Sequence, residues 1–118
     1  MSDVLAISLT DVICGVLMVV LGWMGAHGTL KRNGWAGIRV PATMKSDEAW
    51  RVAHAASSGW LIASGVVCLV VGLAVLALVA SGLSANAGNL IGLAGIGAMT
   101  VLVIVGAVVG IRAANRVE

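Results

Sequence analysis

Arg39, Trp50 and His54 are the side chains of this 118-residue chain best suited to recognition chemistry. Arg39 stands in Gly37-Ile38-Arg39-Val40-Pro41. Its planar fork of donors suits a phosphate, a carboxylate or a set of backbone carbonyls that would staple a loop. His54 can hydrogen-bond backbone groups or titrate as a switch. It follows Trp50 by four residues, so the two rings share a helix face. Ser57 and Ser58 lie within helical reach of His54, but no third group or oxyanion donor accompanies them, so no enzyme is expected. His27 and His54 are not at metal-ligand spacing. Cys14 and Cys68 lack a CxxC pattern and sit in apolar runs as small fillers. Neither a metal nor a cofactor is expected.

The chain that must position these groups is 60% hydrophobic and 10% charged. Its mean hydropathy is +1.09. A disordered chain would be polar and charge-rich, and a soluble domain this small has no interior large enough to hide so much apolar surface. An integral membrane protein remains. A spanning helix takes about 20 apolar residues, and three runs qualify, at about 4–24, 60–80 and 90–111. They are continuous rather than alternating, which selects helices over strands. The expected fold is an all-α integral membrane protein forming one membrane domain over residues 1–118. It has three transmembrane helices, with a structured cytoplasmic loop and interfacial helix between the first and second, over about 27–59.

All seven Lys and Arg residues fall in the first loop or the C-terminal tail, which three crossings place on one side. The positive-inside rule then predicts the N-terminus outside and the C-terminus in the cytoplasm of a bacterial inner membrane. Trp23, Trp35, Trp50 and Trp60 lie toward the same side, where indole favours the interface. The basic groups are too sparse for a nucleic-acid footprint, so no nucleic acid is expected. Lipids with anionic headgroups are the expected company of the loop. Asp11 is the one ionisable residue well inside a span. Such a carboxylate points to function unless it lies near the outer interface or bonds Ser8 or Thr10.

Small residues recur at helix-packing spacings. Gly15 and Gly22, and Gly65 and Gly72, are seven apart; Gly88 and Gly92, and Gly106 and Gly110, are four apart. Each pair marks one face along which helices can approach closely. The faces serve packing within the chain, a homo-oligomer or a larger membrane-protein partner.

In the polar segment, Gly34, Gly37 and Pro41 predict a structured loop over about 28–45. Ser46 is placed to cap a helix that starts at Asp47 and feeds the second span. On it, Asp47, Trp50, His54, Ser57 and Leu61 share a face. Arg51 is spaced to pair with Asp47, and Trp50 to anchor among headgroups. Asn33, Gly37-Ile38-Arg39-Val40-Pro41, Thr43, Ser46, Trp50, His54 and Gly59 resemble, in identity and spacing, the signature of the SdpI family of bacterial membrane proteins. Val40 stands where that family often has Thr, and Ala55 where a basic residue is common. The resemblance marks Asn33, Gly37, Arg39, Pro41, Thr43, Trp50 and His54 as the family motif and binding residues. It implies an immunity protein: resistance to a membrane-active peptide toxin, or binding of a regulator at the cytoplasmic loop. The alternative is an accessory subunit of a larger membrane complex, docked through the Gly-rich faces.

Overall fold

The computed structural model describes residues 2–118. Helix α1 covers Ser2–Ala26, α2 Pro41–Met44, α3 Asp47–Ala80 and α4 Ala85–Asn115, and no strand forms among the described residues. Three of the helices are long and apolar enough to cross a membrane, with mean hydropathies of 2.4 to 2.8 over their apolar stretches. Only 17–28% of each apolar stretch is buried within the chain, so most of the apolar surface faces outward. Leu9 and Ile13 on α1, Val70 and Leu73 on α3, and Val101 and Ile104 on α4 are all more than half exposed. Water would not tolerate such patches; lipid does. The protein is a multi-pass membrane protein.

Helix boundaries follow local chemistry. Ser46 Oγ accepts from the Ala49 amide at 3.0 Å and opens α3. Ser84 Oγ does the same for Ala87 at 3.2 Å and opens α4. Val40 is extended, as a residue before proline must be, and Pro41 supplies the first position of α2, a short turn inside the expected loop. Helix α3 runs 34 residues without a break, about 51 Å at 1.5 Å per residue. The hydrocarbon takes about 20 of these. The apolar stretch from Trp60 to Ala80 is long enough for that, and the turns from Asp47 to Gly59 carry the helix to the loop end of the bundle.

The helices meet through glycine. A Cβ on Gly15 would sit 2.7 Å from the Gly65 carbonyl, and one on Gly65 2.7 Å from the Val19 amide, so α1 and α3 touch backbone to backbone. Gly22 closes on Ser58 and Ile62, and Gly72 on Ser8 and Asp11. Helix α4 uses Gly88 and Gly92 against Val4 and Ile7, then Gly106 and Gly110 against Trp60 and the Ala53 carbonyl. At the loop end, Ala49, Ala53 and Ala114 make a small buried cluster, with Ala42 and Val117 packed against it. Lys45 Nζ donates to the Val117 carbonyl. The C-terminal tail and the loop therefore share one end of a rod 56 Å long, and the seven cations gather there.

Candidate functional site

The polar loop is folded around two rings. Trp50 and His54 project from one face of α3, with centroids 4.1 Å apart, and are 2% and 1% exposed. The Trp50 indole N–H donates to the Leu30 carbonyl at 2.7 Å and holds the incoming chain. His54 holds the loop further on. Its Nδ1 lies 2.7 Å from the Trp50 carbonyl, which can only accept, and its Nε2 lies 2.9 Å from the Ile38 amide, which can only donate. Those two partners fix the ring as neutral, with the proton on Nδ1. Burial pushes the imidazole below its ordinary pKa, and the bond to the Trp50 carbonyl opposes that only in part.

The remaining motif residues brace the backbone. Asn33 Oδ1 accepts from the Trp35 and Ala36 amides at 2.7 and 2.8 Å, while its Nδ2 donates to the Lys31 carbonyl. Gly37 turns the chain at φ +107°, where a Cβ would lie 2.6 Å from His54 Nε2 and 3.0 Å from the Trp50 ring. Thr43 is fully buried: its hydroxyl accepts from the Val40 amide and donates toward the Ile38 carbonyl at 2.5 Å. Pro41 starts the short helix that carries it. Arg39 is exposed and donates through Nη1 to the Gly34 carbonyl at 2.7 Å. This one bond staples the turn and leaves the rest of the fork free.

Two side chains do something other than their spacing suggests. Trp50 is no headgroup anchor, because its N–H is taken up inside the protein. Arg51 pairs with Glu48 rather than Asp47, through bonds of 2.6 and 3.2 Å, and holds the Glu48 carboxyl below the usual range. Asp47 instead meets Arg32 at 3.3 Å, and Arg32 also donates to the Met44 carbonyl at 3.0 Å. What the scaffold leaves outside is a rim of Lys31, Arg39 and Lys45 and the Trp35 ring, which is 92% exposed.

Asp11 lies elsewhere, between the three spans. It is fully buried, and its Oδ1 accepts from the Cys68 thiol at 3.1 Å. It bonds neither Ser8 nor Thr10; the Thr10 hydroxyl returns to the Ala6 carbonyl. The eight spaced glycines are all buried at contacts between helices of the same chain. Gly25 belongs with them and escapes the spacing argument: a Cβ there would lie 2.8 Å from the His54 carbonyl. Its signal was present, since it continues the face of Gly15 and Gly22 one turn on.

Arg39→Lys keeps the charge and a donor but loses the fork. We expect the variant to fold, with a stability change within about 1 kcal/mol because the Gly34 bond is exposed, as thermal unfolding in detergent will report. Full activity in that folded variant would exclude bidentate recognition by Arg39.

A family model for the SdpI/YfhL protein family matches residues 29–113. The match takes in the loop, α2, α3 and most of α4, and begins just after α1. No curated protein and no solved structure gives a match.

Proposed function

This chain belongs to the SdpI/YfhL protein family, and from that premise we propose that it protects a bacterial inner membrane against a membrane-active peptide. In this reading the N-terminus is outside and the loop faces the cytoplasm, as the single-sided cations favour. One observation carries the proposal: the motif builds a closed scaffold that buries Trp50 and His54, while the same loop leaves Trp35, Lys31, Arg39 and Lys45 exposed. A fully exposed indole on a loop that also exposes three cations suits an interfacial or acidic partner better than it suits solvent. The displayed rim is then the surface that meets a regulator or anionic headgroups, while the spans intercept the peptide. No cofactor or catalytic step enters this reading. The accessory-subunit alternative draws less support, because the glycines it would dock through are consumed within the chain.

The test is survival. Cells with and without the chain are grown in the spent medium of toxin-secreting siblings. Cells carrying the chain should survive where the others die. The double variant Trp35→Ala, Arg39→Ala should lose protection at unchanged membrane abundance. Equal survival with and without the chain would overturn the proposal.

A further inference from the structure

We propose that the His54–Ile38 hydrogen bond is a proton-operated latch that releases the 29–45 loop when its surroundings acidify. The inference starts from hydrogen-bond bookkeeping. The neutral ring satisfies one donor and one acceptor, Ile38 N–H and Trp50 C=O, and has no capacity to spare. A second proton can only go on Nε2. It would then face the Ile38 N–H across 2.9 Å, turning an attraction into a repulsion between two donors.

The side chains around the ring offer that new N–H no oxygen or nitrogen acceptor. The ring borders a cavity of about 130 Å³ lined by Met18, Leu21, Leu61 and Val103 from the three spans and by Leu30, Gly37 and Ile38 from the loop. Helix α1 presents Gly25 to the backbone of His54, and α3 presents the Trp50 ring. None of these residues carries a titratable or charged side chain. Arg51, next to Trp50 in sequence, is exposed and bound to Glu48; Arg39, next to Ile38, is exposed and bound to Gly34. With no carboxylate to receive it, the imidazolium is relieved only by the loop moving away. Gly37 gives the movement its hinge: at φ +107° it packs on His54 Nε2 and the Trp50 ring with no side chain.

The direction of the effect follows from linkage. The folded ring titrates below the ordinary histidine value of 6.5. The latch is therefore complete above that value, and it is lost as pH falls through the lower folded value. The inference rests on the proposed function for its meaning. A peptide that permeabilises the membrane lets protons in, and the loop would open in answer, exposing new backbone to a regulator.

The experiment is pH-dependent hydrogen exchange of the Ile38 amide in nanodiscs from pH 7.5 to 4.5, corrected for intrinsic rates. Wild-type protection should fall by up to about tenfold per pH unit as pH drops from 6.5 toward the lower folded value. His54→Gln keeps an acceptor and removes the titration, so its protection should stay flat. Should that variant misfold, nitrogen NMR of the wild-type ring reads the tautomer directly, with Nδ1–H expected at pH 7.5. Flat wild-type protection, an equal pH slope in His54→Gln, or an Nε2–H tautomer would each overturn the latch. All three readouts are independent of survival, so the latch and the protective function fail separately.

Discussion

Gly65→Leu is expected to abolish the folded three-helix unit, while Gly59→Leu, six residues earlier on the same helix, is expected to leave it intact. The contrast is geometric. At Gly65 an added Cβ would stand 2.5 Å from the Gly15 carbonyl and 2.7 Å from the Val19 amide. Both are backbone atoms of a helix, so no rotamer change can make room. Relief requires α1 and α3 to separate along their length, and this contact repeats at Gly22 and Gly72. Overpacking costs about 1–3 kcal/mol where side chains can yield; here the cost should reach about 3 kcal/mol or more. At Gly59 nothing lies within 4 Å, and leucine is the better helix former by roughly 1 kcal/mol. Unfolding in a mild-to-denaturing detergent titration separates the two variants. Equal midpoints would refute the close crossing of α1 and α3.

The same contrast explains why the spans were legible in the sequence. Hydropathy needs no partner: a continuous apolar run of about 20 residues is a spanning helix whatever it packs against. Glycine spacing is nearly as local, since Gly15 and Gly22, like Gly65 and Gly72, face one way by helical period alone. What the spacing lacks is the identity of the opposing surface. It left packing within the chain and docking onto another open, and only the placement of Gly15 on Gly65 distinguishes them.

The loop was legible in outline and illegible in its bonds. Gly37 and Pro41 announce a turn, and Ser46 announces the helix after it, because each acts through its own backbone. Trp50 misleads because a spacing rule sees only an indole near an interface. Its acceptor, the Leu30 carbonyl, lies 20 residues back and carries no side-chain signal. Arg51 had two acidic neighbours at helical spacing. The choice fell to Glu48 because Asp47 is held by Arg32, from a part of the loop that no helical period connects to it. For His54 the geometry displays the loop-organising role, through the bonds to Ile38 and Trp50, neither of which carries a side-chain signal.

Trp50→Ala should have the second largest effect, and of a different kind: the loop should come apart while the spans persist. Trp50 is 2% exposed, and four things rest on it. Its N–H holds the Leu30 carbonyl, its carbonyl orients the His54 ring, its own ring packs against that ring at a tilt of 33°, and its edge backs Gly37. Truncation keeps the carbonyl but removes the other three, at about 3–5 kcal/mol for a buried tryptophan. None of these contacts reaches the backbone crossings of Gly15, Gly22, Gly65 and Gly72, which lie along the apolar part of the rod. The loop and spans should therefore uncouple. Limited proteolysis should cut between residues 28 and 46 many times faster than in wild type, while helical circular dichroism stays close to it. Trp50→Phe is the finer instrument, keeping the ring and deleting only the N–H. It leaves the Leu30 carbonyl unpaired at a cost of about 1–3 kcal/mol, so its cleavage rate should fall between the two. If Trp50→Ala instead melts loop and spans together, the loop is part of the helical core, and the picture of a separable scaffold seated on three spans is wrong.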